Sequence, residues 1–380
     1  IIEINAGEDT KLAAQAYGSN GNQIAAATIL KVYMMHGMTD RWGYLPYSEA
    51  LDVENNIYPA YDSQEAIYNG LLAELDTALA LMDDGNGPDG DIYFDGNMAR
   101  WTTFANTIKM VMGLRLSKAS PAVGEAKFKQ GMAGAISSND QNIQYSYLSE
   151  DSNDNPWQDR FESRKDYLMS DVFVNKLIGL GTATVPEDPR LEKFAEPATT
   201  SATYVGAPYG ASNSATANYS FITDNIISTS EAPLMIYTYS EVLFARAEAA
   251  AKSWTTENAS SLYEQAITAS MEQWGVASAD ITVYITAHPY TGMEDIAYEK
   301  WVSLYMQGYN SWSEWRRFKA EGNDGRINLV APEDLLSNAT DIPQRHGYSA
   351  TASALNEDSY NTAIGAQGAD NLDTILWIFK

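Results

Sequence analysis

Apolar residues recur at three- and four-residue spacing over long stretches of the chain, and this pattern predicts a mainly α-helical protein. The clearest stretch is about 63–82, where Ile67, Leu71, Leu72, Leu75, Leu79 and Met82 mark one helical face. Asp62 followed by Glu65 is a capping-box-like start, and Asp83-Asp84-Gly85 forms a turn at the far end. A helix is predicted over about 11–36, with Gly18 and Gly21 interrupting its first half. Another is predicted over about 97–118, with Trp101, Phe104, Ile108, Val111, Met112 and Leu116 turned inward. Further helices are expected near 123–136, 165–180, 235–254, 260–274 and 293–318. Strand patterns are few and short.

The pair 235–254 and 260–274 carries Ala247-Glu248-Ala249-Ala250 and then Leu262-Tyr263-Glu264-Gln265-Ala266-Ile267. Small residues at regular spacing let two helices approach closely, with Tyr263 and Ile267 filling the groove between them. That is the physics of a tetratricopeptide-type hairpin. No strict 34-residue period recurs, so the expectation is a tetratricopeptide-like helical-repeat scaffold with long irregular loop insertions. The insertions fall at about 85–97, 151–160 and 181–233, the last rich in Gly, Ala, Ser, Thr and Asn. Loops this long are usually functional or disordered. The stretch 322–380 also reads as mostly irregular. Its apolar Ile375-Leu376-Trp377-Ile378-Phe379 is expected to dock back onto the body.

Composition narrows the chemistry. Of 380 residues, 50 are acidic and 24 basic, giving a net charge of −26. Such an envelope repels phosphate backbones and argues against nucleic-acid binding. The absence of cysteine excludes disulfides, thiolate metal sites and a cysteine nucleophile. The histidines His36, His288 and His346 lie far apart and read as structural or surface residues. Neither a P-loop nor a GxGxxG, HExxH or GxSxG motif is present. No cofactor is expected. Two oxygen-rich loops, Asp84, Asn86, Asp89, Asp91 and Asp95, and Asp151, Asn153 and Asp154, carry the ligand chemistry of a structural calcium ion. The alternative for these residues is Asx-turn chemistry, in which short polar side chains bond their own backbone.

The aromatic residues make up 11% of the chain and divide into two sets. Trp101, Phe104, Trp254 and Trp301 lie on helical faces and read as core. Trp157, Tyr204, Tyr209, Tyr219 and Tyr290 sit among polar or turn-forming residues and are candidates for a binding surface. Flat aromatic faces stack on the C–H faces of sugar rings, while Asn and Ser nearby can bond hydroxyl groups.

Six segments in order resemble the SusD/RagB-like family of nutrient-binding outer-membrane lipoproteins. They are Thr39-Asp40-Arg41-Trp42-Gly43-Tyr44-Leu45-Pro46-Tyr47-Ser48-Glu49-Ala50, Tyr61-Asp62-Ser63-Gln64-Glu65-Ala66-Ile67-Tyr68, and Asp91-Ile92-Tyr93 with Met98-Ala99-Arg100-Trp101 and Phe104-Ala105-Asn106. Then come Pro189-Arg190-Leu191, Tyr239-Ser240-Glu241-Val242 with Ala247-Glu248-Ala249, and Trp312-Ser313-Glu314-Trp315-Arg316-Arg317. Ile342-Pro343 with Arg345, then Asn356 and Tyr360-Asn361, also fit. Tyr44 and Asn97 stand where the family usually has Asp, and Leu376-Trp377-Ile378-Phe379 replaces a more usual L-W-W-D ending. Tyr44 thereby joins the candidate ligand contacts.

The resemblance implies one SusD-like domain over 1–380, a lipid-bearing cysteine before Ile1, and attachment to the bacterial outer membrane at the cell surface. It also implies a SusC-like TonB-dependent transporter as partner, to which the protein delivers an oligosaccharide without catalysis. The competing readings are an all-α secreted glycoside hydrolase, which needs two carboxylates opposed across a cleft, and a binder of peptides or another nutrient.

Overall fold

The computed structural model describes residues 1–52, 54–212, 215–336 and 339–380. Helices of eight or more residues are numbered in chain order. They are α1 (Asn20–Trp42), α2 (Gln64–Leu81), α3 (Met98–Arg115), α4 (Pro121–Met132), α5 (Pro156–Ser163), α6 (Asp171–Ile178), α7 (Tyr239–Ala251), α8 (Ala259–Gln273), α9 (Ser278–Ala287), α10 (Met293–Ser303), α11 (Gly308–Ala320) and α12 (Glu357–Gln367). Three short antiparallel pairs complete the framework: β1 (Leu45–Pro46) with β2 (Tyr61–Asp62), β3 (Ile143–Tyr145) with β6 (Leu234–Tyr237), and β4 (Ala195–Glu196) with β5 (Phe221–Ile222).

The helical reading holds, with four corrections. The stretch 11–36 is broken at Gly18, whose φ of 124° suits glycine, and the long helix starts at Asn20 and runs on to Trp42. The stretch 235–254 begins as strand β6. Thr238 is the N-cap of α7 and its hydroxyl accepts from the Glu241 N–H, so the helix starts after it. The stretch 293–318 is two helices, parted at 304–307 where Met306 adopts φ 68°. Only Asp171–Ile178 of 165–180 is helical. The insertion at 151–160 is also not wholly irregular. Asn155 caps α5, and Pro156 occupies its first turn, where its missing N–H costs nothing.

Helices α1 and α2 pack as a hairpin, as do α3 with α4 and α7 with α8. Glycines set the α3–α4 distance. A Cβ at Gly113 would lie 2.4 Å from the Phe128 nitrogen, and one at Gly131 2.5 Å from the Asn106 carbonyl oxygen. In the α7–α8 hairpin Ala247, Ala249, Tyr263, Ala266 and Ile267 are fully buried, which is the tetratricopeptide-type contact expected from the sequence. The largest apolar core joins α1–α4 to β3, β6 and the C-terminal segment. A second gathers α5, α6, α10 and α11 around the 191–227 segment, and a third lies among α7–α10.

A buried ionic network crosses between the cores. Arg317 of α11 is bidentate to Glu248 of α7 and also holds Glu314, which in turn meets Lys300 of α10 and Arg115 of α3. Arg115 reaches Asp40 of α1 at 3.2 Å. The C-terminal segment docks as expected: Leu376, Ile378 and Phe379 are buried, and the Ile378 N–H donates to the Gln64 side chain at 3.0 Å.

Candidate functional site

The motif residues read from the sequence are chiefly framework. The Thr39 hydroxyl donates to the Gly43 carbonyl at 2.8 Å, and Gly43 closes α1 at φ 80°. The Trp42 indole donates to the Gly347 carbonyl at 2.9 Å. Asp62 accepts from the N–H groups of Tyr47 and Ser48 at 3.0 and 2.8 Å. Asp91 accepts from the N–H groups of Tyr93, Phe94 and Gly96 and from the Trp101 indole, so both its oxygens are engaged by N–H donors. Among the described residues no three His, Cys, Asp or Glu side chains converge to hold a metal ion.

Trp157 opens onto a cavity of ≈ 250 Å³ between α5, β6, the end of α8 and the turn after α10. Asn155 fixes that wall. Its side-chain oxygen accepts from the Trp157 N–H at 2.8 Å, its amide donates to the Ala232 carbonyl at 2.6 Å, and its own N–H donates to the Ser230 carbonyl at 2.7 Å. The Tyr167 ring stands edge-on to Trp157, 5.6 Å away. Trp274, Tyr305 and Tyr147 line the same cavity. Trp274 packs edge-on against Phe194, and its buried Nε1 makes no hydrogen bond within the chain. It is a buried donor without a partner. The apolar floor is Ile226, Pro233, Leu234 and Met235.

A second, polar cavity of ≈ 570 Å³ adjoins the first through shared Met235 and Gln273. Its lining is rich in amides and hydroxyls: Asn139, Asn142, Gln144 and Ser146, with Arg100 and Asp140. An aromatic ladder runs from one cavity to the other, with Tyr147 5.0 Å from Tyr145 and Tyr145 5.7 Å from Tyr93. Burial pushes the Tyr147 and Tyr93 phenols above their ordinary values, so both are neutral hydroxyls at physiological pH. The joined cleft therefore offers aromatic faces at one end and hydrogen-bonding groups at the other. That combination suits a ring with apolar faces and a polar edge.

The other sequence candidates do not gather here. Tyr204 is buried in the second core, with its N–H donating to the Ala183 carbonyl at 2.7 Å. Its loop surroundings are polar in sequence only. Tyr209 is 39% exposed but lines a different cavity. Tyr219 is half-buried in the 181–233 segment, and Tyr290 packs against Tyr263 at 5.6 Å. Tyr44 is half-buried at β1, where its carbonyl accepts from the Tyr348 hydroxyl at 2.7 Å. Sequence reasoning missed Trp274, Tyr305 and Tyr147. Trp274 falls at the very end of a predicted helix, where it read as an ending and not as a wall.

The profile of the SusD-like family described as "Starch-binding associating with outer membrane" matches residues 3–349. The chain belongs to this family. Its family is associated with the outer membrane and with binding of glycans or other nutrients. No curated protein sequence matches significantly. Among solved structures, this SusD-like protein superposes on a chitin-binding protein with a TM-score of 0.80 at 25% identity, covering 93% of this chain and 80% of that one. A SusD-like protein from Bacteroidetes gives a TM-score of 0.80 at 21% identity, covering 100% and 86%. A chitin-binding SusD homologue from Flavobacterium johnsoniae gives 0.78 at 24% identity, covering 94% and 80%. These likenesses fix the helical fold. Among the described residues no helix is long and apolar enough to cross a membrane.

Proposed function

We propose that this SusD-like protein captures oligosaccharides at the cell surface, in the cleft between Trp157 and Trp274, and passes them to a SusC-like TonB-dependent transporter. The observation that carries the glycan part is the aromatic cavity adjoining an amide-lined one. Tryptophan and tyrosine faces stack on sugar C–H faces, while Gln273 and Asn142 meet hydroxyl or acetamido groups. The chitin-binding relatives make N-acetylated oligosaccharides the first ligands to try, with starch oligosaccharides second. Binding without bond cleavage fits the lining. Asp140 is the carboxylate in the two cavities, whereas a glycosidase needs an opposed pair. The transporter role and a lipid anchor at the outer membrane rest on family membership.

Isothermal titration against chito- and malto-oligosaccharides tests the reading. Trp157→Ala and Trp274→Ala should each weaken binding by ~1–2 kcal/mol with the far-ultraviolet dichroism unchanged. Absence of glycan binding, or unchanged affinity in both variants, overturns this site. Co-purification with an outer-membrane β-barrel partner tests the transport role separately.

A further inference from the structure

Another cavity, of ≈ 370 Å³, is lined by α1, β6 and α11, with Arg115 of α3. Small-molecule sites run from about 300 to 1,000 Å³. On its α1 wall Tyr33, Gly37 and Arg41 stand four residues apart and form one stripe, with Met34 and Met38 beside it. Ile236, Tyr237 and Tyr309 add further apolar and aromatic lining.

Arg41 brings to this lining a charge that the protein leaves unused. Its guanidinium lies 3.5 Å from the centre of the Tyr309 ring, a stacking contact that holds it in place. Among the described residues it forms no ion pair, and its buried Nε has no hydrogen-bond partner. A Cβ built at Gly37 would stand 3.7 Å from the Arg41 Nη2 and would meet nothing else within 4 Å beyond the backbone of its own helix. The tip of the guanidinium therefore reaches the glycine of the same stripe, where the wall is bare. The hydroxyls of Tyr33 and Tyr237 also make no hydrogen bond among the described residues. Burial pushes the Tyr33 phenol up to about 12 and raises that of Tyr237 as well, so both are neutral donors.

The other charged groups of the lining are spent on one another. Arg115 meets Asp40 at 3.2 Å and Glu314 at 2.9 Å, and Asp40 also accepts from the Tyr68 hydroxyl. His36 lies 3.5 Å from Asp40, and burial pushes its imidazole below its ordinary value. The Asn310 side chain donates to Glu241 and accepts from Arg115. Glu241 itself is outside the lining, and burial pushes its carboxyl up to about 7. One cation and two hydroxyl donors remain unmatched, over an apolar and aromatic surface. A carboxylate suits the guanidinium fork. A flat ring suits the rest, since tyrosine rings and methionine sulfurs both make favourable contacts with aromatic edges and faces. A sugar would leave hydroxyls unpaired against Met34, Met38 and Ile236.

We infer that this cavity binds a small aromatic carboxylate, with the carboxylate on the Arg41 guanidinium and the Tyr33 hydroxyl and the ring among Tyr237, Met34 and Met38. The site is separate from the Trp157 cleft and does not depend on the glycan reading.

The test is calorimetric titration of the full chain at pH 6 with cinnamate, its neutral amide, hexanoate and inorganic phosphate. Cinnamate should bind about tenfold more tightly than the amide and lose affinity as salt is raised. It should also bind about tenfold more tightly than hexanoate, which has the charge without the ring. Arg41→Gln should weaken cinnamate about tenfold and leave the amide unchanged, a split that damage to the fold would not produce. Gly37→Leu fills the wall beside the Arg41 Nη2 without removing the charge, and should weaken cinnamate and the amide alike. If Arg41→Gln unfolds, Gly37→Leu still decides. Equal affinity for cinnamate and its amide, equal affinity for hexanoate, or no cinnamate binding overturns the inference. So does cinnamate binding that survives Gly37→Leu, or phosphate that binds as tightly and competes. None of these outcomes bears on the glycan titration at Trp157, so the two sites stand or fall separately.

Discussion

Glu241 and Glu314 sit in neighbouring parts of the buried network and titrate in opposite directions. Burial dominates at Glu241 and pushes its carboxyl up to about 7; Asn310 donates to one oxygen, while the other has no partner. Arg317, Lys300 and Arg115 surround Glu314 and hold it well below the usual range despite its burial. An unfolded glutamate titrates near 4.3. Between that value and about 7 the folded protein keeps a proton on Glu241 that the unfolded chain has released, so Glu241 lowers stability as pH rises through this window. Glu241→Gln removes that loss. Urea unfolding at pH 4.5 and pH 8 should show the variant gaining roughly 2–3 kcal/mol on the parent between the two. A constant difference would show that Glu241 is ionised throughout.

Among the elements, glycine position decides the sign of a substitution. Gly113 lets α3 touch the backbone of α4, so Gly113→Ala forces the helices apart and should cost about 1–3 kcal/mol. Gly365 in α12 has nothing within 4 Å of a built Cβ. There Gly365→Ala should be neutral or stabilise by about 0.5–1 kcal/mol, since the native backbone is helical. Paired thermal melts of the two variants check both signs. The sequence made α3 and α4 legible through apolar periodicity, whereas α12 lies in a stretch it read as mostly irregular, and it could not separate the two glycines. Only the neighbouring helix makes one indispensable.

For the whole molecule, the ionic network ties α1, α3, α7, α10 and α11 into one unit. A depressed carboxylate contributes stability that is fully present above its unfolded value and is lost as pH falls through its lower folded value. Glu314 and Glu321 both belong to this class. Glu314→Gln should cost about 3–5 kcal/mol at pH 6, because Lys300, Arg115 and Arg317 lose a shared buried partner. The deficit should shrink as pH falls below about 4.3, where the unfolded glutamate takes up a proton that the folded parent still refuses. Denaturant midpoints across that range measure it, and a deficit independent of pH would assign the cost to packing instead.

The sequence by itself determined the helical class, most helix positions, the docking of the 375–379 segment and the family resemblance, because periodicity and short motifs are properties of neighbouring residues. It erred where a cap or a pairing partner ruled: Thr238 turned the start of a predicted helix into β6, and Met306 split another. It also placed Trp157, Tyr204, Tyr209, Tyr219 and Tyr290 on equal terms, since all five share a polar local context. Tertiary structure alone buried Tyr204, put Trp157 and Trp274, 117 positions apart in the chain, around one cavity, and brought Arg41 against Tyr309. A ring becomes a binding surface only when a residue distant in sequence leaves one face open, and local pattern carries no information about that distance.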